Sequence, residues 1–355
     1  STDVAISNSG DGMYVNNTGT GETSLTTTSS VQSSGGDGIN ALNTETATNL
    51  SISAADITAL DDAIWADNLG AGALSISVTG DVISTSTDKS DDDHSYGIYA
   101  DNFGTDSTIS TSGNVTSNDS GIYSYSHSSG ALSITSTGDV TALGDDAIKV
   151  GNGDYSTSTQ ARMILTTNSS TDINITAKNV TAYDDAIEFD NYGTGSSTIT
   201  TTGQITGGSS QTDQTANSDG INGYNHTTAA NLSISAANVT GLDDAIFVEN
   251  YGTGTLSINL TGDVVSMSTD ESDNDYSHGI SAQNFGTNSV ISTSGNVTSN
   301  DRAIWGWNDG SGALSITSTG NVTASGNIGI SADTGDYASG SAAASTATDI
   351  NITVN

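Results

Sequence analysis

A short motif returns at nearly regular intervals along the whole sequence. It reads Asp-Asp-Ala-Ile or Asp-Gly-Ile in half of the copies, and its last residue, which we call the anchor, occurs twelve times. The anchors are Met13, Ile39, Ile64, Ile98, Ile122, Ile148, Ile187, Ile221, Ile246, Ile280, Ile304 and Ile330. Successive anchors lie 24 to 39 residues apart, and most intervals are close to 25 residues. A period of about 20 to 50 residues is typical of repeat proteins, in which similar units stack on one another.

Each repeat contains three short segments with the alternation of a half-buried strand. One begins at the anchor, and a second reads Leu-Ser-Ile, as at 50–52 and 132–134. The third follows a Gly-Asp-Val or Gly-Asn-Val turn, as at Val82 and Val115. A coil of three such strands buries its inner face only when further coils pair with each strand from above and below. The sequence therefore predicts an all-β parallel β-helix (β-solenoid) of about twelve three-strand coils, each of about 25 residues.

The anchor spacing itself repeats. Ile39, Ile64, Ile98, Ile122 and Ile148 recur 182 residues later at Ile221, Ile246, Ile280, Ile304 and Ile330. We therefore expect one continuous solenoid over residues 1–355, made of two six-coil sequence units, 1–176 and 177–355, that arose by tandem duplication.

Composition excludes several classes of function. Hydrophobic residues make up 33% of the chain, which is poor for a globule, but their fixed recurrence argues for order. The formal net charge is −36, with 41 acidic and 5 basic residues, and this excludes binding to nucleic acid phosphates. No apolar run reaches the length of a membrane span, so we expect no membrane insertion. Cysteine is absent, which excludes disulfides and thiolate chemistry.

An asparagine stands four residues after most anchors. These residues are Asn17, Asn43, Asn68, Asn102, Asn152, Asn191, Asn225, Asn250, Asn284 and Asn308. Stacked amides at one corner can hydrogen bond from coil to coil, which predicts an asparagine ladder. The alternative is that asparagine serves only as a turn residue.

Aspartates form a second column two residues before the anchors. The column contains Asp11, Asp37, Asp62, Asp146, Asp185, Asp219 and Asp244. Stacked carboxylates repel one another, and a divalent cation between coils would relieve that repulsion. Calcium, which takes six to eight oxygen ligands, is the one cofactor that we predict. The candidate ligands are Asp61, Asp62, Asp184, Asp185, Asp243 and Asp244. Alternatively, these aspartates are turn residues that face water.

Aromatic residues follow several anchors directly, where the side chain points outward. They are Trp65, Tyr99, Tyr123, Phe247 and Trp305. Exposed aromatic rings stack on sugars or bury against another filament, so surface glycans and neighbouring filaments are candidate partners. Alternatively, these rings cover insertions of their own chain.

Catalysis is poorly supported by the sequence. The five basic residues are scattered, and the four histidines show no catalytic or metal-binding spacing. Aspartates are too numerous to single out a glycosidase pair. We therefore predict no catalytic residues and no enzyme.

The two ends of the chain carry strand sequences rather than caps. Residues 348–353 repeat residues 171–176, which lead into the second sequence unit, and residues 3–6 resemble residues 179–182. Because unpaired strand edges invite pairing with another chain, we expect head-to-tail stacking into a filament. The candidate assembly residues are Val4, Ile6, Ile350 and Ile352. Alternatively, the sequence is an excerpt of a longer repeat protein.

Three motifs carry a resemblance to a known family. They are Ser-Thr-Gly-Asp-Val-Thr at 136–141, Asp-Asp-Ala-Ile at 243–246 and Asn-Tyr-Gly-Thr-Gly at 250–254. Through them nearly the whole chain resembles the right-handed parallel β-helix repeats of secreted bacterial surface proteins, namely autotransporter passengers and large adhesins. The resemblance implies a right-handed coil and an extracellular or cell-surface location. We expect a structural subunit of an extracellular filament whose main partner is itself; the alternative is a stalk or passenger segment of a larger bacterial adhesin.

Overall fold

The structure is a computed structural model that describes residues 6–86, 95–127, 129–153, 171–209, 217–268, 277–335 and 348–355. The chain divides into two compact units. Unit 1 contains Ser1–Ala182 and Tyr192–Thr194, and unit 2 contains Tyr183–Asn191 and Gly195–Asn355. Strands joined by turns make up both units, and the described residues contain no helix.

The described residues of unit 1 form nineteen short strands. They are β1 (Ile6–Asn8), β2 (Met13–Asn17), β3 (Thr23–Thr26), β4 (Val31–Ser33), β5 (Ile39–Asn43), β6 (Leu50–Ala54), β7 (Ile57–Ala59), β8 (Ile64–Asn68), β9 (Leu74–Val78), β10 (Val82–Ser84), β11 (Ile98–Asn102), β12 (Ser107–Thr111), β13 (Val115–Ser117), β14 (Ile122–Ser126), β15 (Leu132–Ser136), β16 (Val140–Ala142), β17 (Ile148–Asn152), β18 (Ile173–Ala177) and β19 (Val180–Thr181).

Unit 2 continues the same order of strands. They are β20 (Ile187–Asn191), β21 (Ser197–Thr201), β22 (Gln204–Thr206), β23 (Ile221–Asn225), β24 (Leu232–Ala236), β25 (Asn238–Gly241), β26 (Ile246–Asn250), β27 (Leu256–Leu260), β28 (Val264–Ser266), β29 (Ile280–Asn284), β30 (Ser289–Thr293), β31 (Val297–Ser299), β32 (Ile304–Asn308), β33 (Leu314–Ser318), β34 (Val322–Ala324), β35 (Ile330–Thr334) and β36 (Ile350–Val354).

Within each unit every third strand belongs to the same parallel sheet. The anchor sheet is β2-β5-β8-β11-β14-β17 in unit 1 and β20-β23-β26-β29-β32-β35 in unit 2. The leucine sheet is β3-β6-β9-β12-β15-β18 and β21-β24-β27-β30-β33-β36. The valine sheet is β1-β4-β7-β10-β13-β16-β19 and β22-β25-β28-β31-β34. The predicted fold class is therefore confirmed: the protein is a parallel β-helix of about twelve coils, six with anchor strands in each unit.

The register between coils follows the anchors. Ile98 pairs with Ile64 on one side and with Ile122 on the other. A register slip of one residue would turn every inward side chain outward, so stacking of like residues fixes the pairing. Along β8 the burial alternates, with Ile64, Ala66 and Asn68 fully buried. The period of two that the sequence shows is thus the period of the strands.

The core is a thin column of aliphatic side chains inside each unit. In one place a large core side chain is matched by a small residue in the neighbouring coil. Phe189 is fully buried, and Gly223 in the next coil stands directly opposite it. A Cβ atom on Gly223 would lie 2.0 Å from the Phe189 ring. Glycine at position 223 therefore leaves the space that the phenylalanine ring fills.

Candidate functional site

The aspartate column lies at the corner that precedes each anchor strand, and most of it is buried. The buried members are Asp37, Asp62, Asp146, Asp185, Asp219 and Asp244. The alternative that these carboxylates face water is therefore wrong for these six residues. Buried carboxylates are stable only when hydrogen bonds or counter-charges satisfy them.

Backbone groups of the following coil supply these hydrogen bonds in unit 1. The backbone N–H of Asp37 donates to Asp11 Oδ1 over 3.2 Å, and the N–H of Asp62 donates to Asp37 Oδ1 over 3.2 Å. In the next coil the N–H of Tyr96 donates to Asp62 Oδ1 over 2.6 Å. Each carboxylate thus accepts a hydrogen bond from a backbone N–H that is not used in sheet pairing, and these bonds join adjacent coils.

Unit 2 repeats this arrangement. The backbone N–H of Asp219 donates to Asp185 Oδ1 over 2.6 Å, and the N–H of Asp244 donates to Asp219 Oδ1 over 2.9 Å. The N–H of His278 donates to Asp244 Oδ1. Because the same bonds recur in both units, they belong to the repeat rather than to one local site.

The column is electrostatically strained. Burial, with smaller contributions from the charges of Asp61 and Asp11, raises the pKa of Asp37 to about 6, although a hydrogen bond from Asn40 works against the shift. Burial likewise raises the pKa of Asp185 to about 7. For Asp219, burial and then the charge of Asp244 raise the pKa well above its ordinary value. Around neutral pH, the uptake of protons or of another cation therefore stabilises the column.

One group of three carboxylates in unit 1 has the geometry to share a cation. Oxygen atoms of Asp37, Asp61 and Asp62 all lie within 4.8 Å of one another. Asp61 and Asp62 were predicted ligands, whereas Asp37 was predicted only as a member of the aspartate column. Three carboxylates supply part of the six to eight oxygens that calcium takes, and water would complete the shell.

The remaining predicted calcium ligands lie in unit 2. Asp184 Oδ1 accepts a hydrogen bond of 2.7 Å from the Ser218 hydroxyl, and Asp185 accepts the backbone bond described above. Among the described residues, Asp243 and Asp244 belong to no close group of three metal-ligating side chains. Within a single unit, the predicted calcium ligands that the described residues bring into one close group are Asp61 and Asp62, with Asp37 added.

The ten predicted ladder asparagines all lie at the fifth position of anchor-sheet strands, and nine of them are buried. In unit 1 the Asn43 amide donates to Asn68 Oδ1 over 3.1 Å, and the Asn68 amide donates to Asn102 Oδ1 over 2.8 Å. In unit 2 the Asn250 amide donates to Asn284 Oδ1 over 2.7 Å. Equivalent bonds run from Asn17 to Asn43, from Asn225 to Asn250 and from Asn284 to Asn308.

Two members of this column make other contacts. Asn152 Oδ1 accepts the backbone N–H of Gly193 over 3.1 Å. The Asn191 amide donates to the Ser197 hydroxyl over 3.0 Å, and that hydroxyl donates to Asn225 Oδ1 over 2.6 Å. The asparagine column therefore links coils both directly and through a serine.

Sequence reasoning missed a further set of corner acceptors. In several coils an Asp or Asn at the start of the valine strand, or directly before it, accepts the backbone N–H of its counterpart in the next coil. The N–H of Asp81 donates to Asp56 Oδ1 over 3.0 Å, and the N–H of Asn114 donates to Asp81 Oδ1 over 2.8 Å. In unit 2 the N–H of Asp263 donates to Asn238 Oδ1 over 2.9 Å. The signal was present in the Gly-Asp-Val and Gly-Asn-Val turns, which indicate a turn but not its partner one coil away.

The predicted outward aromatic residues lie on the outer face of the anchor sheet, but all five are half-buried rather than fully exposed. Trp65 stacks on Tyr99 with ring centroids 4.1 Å apart, and Tyr99 stacks on Tyr123 at 5.5 Å. In unit 2, Phe247 lies 5.9 Å from Tyr224, and Trp305 stacks on His278 at 5.4 Å. Ring faces that cover each other are not free to stack on a sugar ring.

The predicted assembly residues lie on edge strands, apart from Val4, which is outside the described residues. Ile6 lies on β1 and pairs with Val31. Ile350 and Ile352 lie on β36, which pairs with β33 and is the last strand of the leucine sheet. The two side chains are 44% and 47% exposed, whereas their partners Leu314 and Ile316 on β33 are fully buried. A further coil stacked on β36 would cover Ile350 and Ile352 as β36 covers Leu314 and Ile316.

By architecture the chain is a parallel β-helix protein, and the polar corner side chains in the described ranges form ladders along the coils. Comparison with protein-family models, with curated proteins and with solved structures found no match. The resemblance to autotransporter passengers and large adhesins therefore stays a prediction. No helix in the described part of the chain has the length and apolar character to cross a membrane.

Proposed function

We propose that the protein is a structural subunit of an extracellular filament that assembles head-to-tail by parallel strand pairing. The observation that carries the proposal is the apolar edge on β36, where Ile350, Ile352 and Val354 are 44%, 47% and 56% exposed. The last strands of the three sheets in unit 2 are β34, β35 and β36, and the first strands in unit 1 are β1, β2 and β3. Stacking one molecule on the next would pair β34 with β1, β35 with β2 and β36 with β3.

The arrangement of the edges supports this pairing. The coil that contains β35 and β36 has no valine-sheet strand among the described residues, while β1 is a valine-sheet strand that precedes the first anchor strand. Strand β1 of a second molecule would therefore supply the third side of that coil. The register follows the rule seen inside each unit, in which like positions pair.

The energetics require all three strands to pair at once. Covering the three half-exposed β36 side chains is worth about 3 kcal/mol, at about 1 kcal/mol for each. Association costs about 4 kcal/mol or more in lost translational and rotational freedom, so β36 alone does not hold two molecules together. Backbone hydrogen bonds along β34, β35 and β36 supply the rest, since each adds about 0.5–1.5 kcal/mol.

Charge sets the conditions for assembly. A net charge of −36 makes two molecules repel at low ionic strength, whereas β36 carries no charged side chain. Salt at about 0.1 M screens charges beyond about 10 Å, so assembly is expected to increase with salt or with divalent cations.

Analytical ultracentrifugation and electron microscopy of the purified chain test the proposal. We expect concentration-dependent filaments that disappear in the Ile350→Lys/Ile352→Lys variant, because two charges then occupy the edge. The matched control is Ser53→Lys/Ser77→Lys, which adds the same charge on exposed outward positions of β6 and β9. A wild-type chain that stays monomeric at every salt concentration, or filaments that persist in the edge variant, would refute the proposal.

A second candidate function is a stalk segment of a larger surface adhesin, in which further coils of the same chain cover β36. The near-constant register between coils supports this candidate as well as it supports the filament, because the next coil could belong to the same chain. The ultracentrifugation result separates the two, since this candidate requires a monomer. Surface glycans or neighbouring filaments are the proposed lateral partners of the aromatic residues, and the covered ring faces favour the filaments.

A further inference from the structure

The imidazole of His278 in unit 2 lies against a carboxylate of the preceding coil. Asp244 Oδ1 accepts the backbone N–H of His278 and lies 3.2 Å from its Nδ1. With Asp244 ionised, its carboxylate only accepts hydrogen bonds, so in the neutral imidazole the proton sits on Nδ1 and the lone pair on Nε2. Trp305 stacks on the ring and fixes its plane.

The lone pair on His278 Nε2 faces Asp301 Oδ2, and neither atom receives a hydrogen bond from the described residues. The His278 side chain is only 7% exposed, and its Nε2 has no hydrogen-bond partner among the described residues. Asp301 Oδ2 lies 3.9 Å away and is likewise buried without a hydrogen bond in the described part of the chain. Two acceptors that face each other in a buried place are unfavourable unless a cation lies between them.

The separation of these two atoms suits a metal ion. Zinc bonds are about 2.0–2.1 Å to imidazole nitrogen and about 2.0–2.2 Å to carboxylate oxygen, so the two bonds together span at most about 4.3 Å. A gap of 3.9 Å therefore accommodates a cation with a bent N–metal–O angle. Imidazole with carboxylate favours zinc-like transition metals over calcium, and a second carboxylate on Nδ1 is the usual support for a metal-binding histidine.

We propose that His278 and Asp301 bind a divalent transition-metal cation, with Asp244 as the positioning residue for the imidazole. The backbone fixes both ligands, because the N–H of Gly279 donates to the carbonyl oxygen of Arg302 over 3.1 Å and the N–H of Asp301 donates to that of Ser277 over 3.3 Å. Two protein ligands leave the remaining positions to water.

Arg302 limits the affinity of this site. Its Nε lies 3.8 Å from the same Asp301 Oδ2, and its guanidinium lies 5.2 Å from the centre of the Trp305 ring. A neighbouring positive charge opposes a dication, so we expect micromolar rather than nanomolar binding.

Calorimetry and imidazole nitrogen NMR with zinc test the site on the full chain. The many carboxylates are first saturated with excess calcium, so that only a nitrogen-containing site responds to zinc. We expect one zinc ion per chain and a shift of the His278 Nε2 resonance, in a spectrum that contains only four histidines. His278→Gln and Asp301→Asn are each expected to weaken zinc binding at least about tenfold.

The matched control is His226→Gln. His226 also contacts an aspartate of the preceding coil, with its Nε2 3.2 Å from Asp190 Oδ1, but it is 30% exposed. This variant should bind zinc like the wild type. Equal zinc affinity in the wild type, His278→Gln and Asp301→Asn would overturn the proposal. So would a His278 ring protonated on both nitrogens at neutral pH and unchanged by zinc, because the gap would then hold a proton in an ion pair.

Discussion

Removing one asparagine from the middle of the ladder tests how tightly the coils are joined. Asn68 is fully buried and takes part in three hydrogen bonds. Its Oδ1 accepts from the Asn43 amide over 3.1 Å, and its own amide donates to the carbonyl oxygen of Gly72 over 3.0 Å and to Asn102 Oδ1 over 2.8 Å. The Asn68→Ala substitution deletes all three bonds and leaves the aliphatic core intact.

The expected loss of stability is about 3 kcal/mol, because each of three bonds contributes about 1 kcal/mol net. The loss is not larger, since two partners keep another bond. The Asn43 amide still donates to the carbonyl oxygen of Asn49 over 2.8 Å, and Asn102 Oδ1 still accepts the N–H of Gly104 over 3.1 Å. Neither group is therefore left buried and unsatisfied.

Hydrogen exchange is the appropriate assay, because long repeat arrays need not unfold in two states. A loss of about 3 kcal/mol corresponds to roughly a hundredfold faster exchange of the amides of β8 and its neighbours, since about 1.4 kcal/mol is a factor of ten. Asn16→Ala, at an exposed position of β2, is the control and should change exchange by less than threefold. Exchange in Asn68→Ala that matches this control would show that the ladder contributes nothing to coil stacking.

Three further perturbations follow from the same geometry. The raised pKa values of Asp37 and Asp185, about 6 and about 7, mean that the folded state holds protons that the unfolded state has lost. Their contribution to stability is complete below about pH 4 and is lost as the pH rises to about 7, so Asp37→Asn should flatten the fall in melting temperature between these values; an unchanged slope would contradict the electrostatics. Calcium should raise the melting temperature at neutral pH and do so less in Asp61→Asn/Asp62→Asn or at about pH 5, where protons compete; a wild-type melting temperature that does not change with a chelator would exclude the site. Ile134→Ala should cost about 2–5 kcal/mol in chemical unfolding because Ile134 is buried, whereas the outward Ser133→Ala should cost less than about 0.5 kcal/mol; equal losses would mean that the core does not carry the stability.

The strands could be predicted because their signal is local. Leu132, Ile134 and the anchors recur with a period of two inside a strand and about 25 residues between strands, and every anchor is the first residue of an anchor-sheet strand. Parallel stacking of like coils then follows, since no single coil can bury its own inner face. Even the residue pairs in contact, such as Ile98 with Ile64, could be read from the repeat.

The roles of the corner residues could not be read in the same way. Asp62 was interpreted as a calcium ligand or a turn residue, because an aspartate before a glycine or alanine is typical of turns. Its burial and its bond to the N–H of Tyr96 depend on a residue 34 positions away, across a segment of variable length. Likewise, His278 and Asp301 come close only because consecutive coils stack, with Ile280 paired to Ile304, and sequence reasoning assigned neither residue a partner.

The corner bonds also give the stack a direction. In the aspartate column and at the valine corner, the donor is a backbone N–H of the later coil and the acceptor is a side-chain oxygen of the earlier one, as for Asp62 with Asp37 and for Asp81 with Asp56. In a chain with only 33% hydrophobic residues such bonds contribute to cohesion, and those of the aspartate column and the valine corner point the same way. The amides of the asparagine ladder differ, because Asn43 donates to Asn68 of the later coil. Edges that face earlier coils therefore offer backbone donors, and edges that face later coils offer side-chain acceptors. The two kinds of edge are complementary to each other and not to themselves, which supports a head-to-tail arrangement for the proposed filament and would make that filament polar.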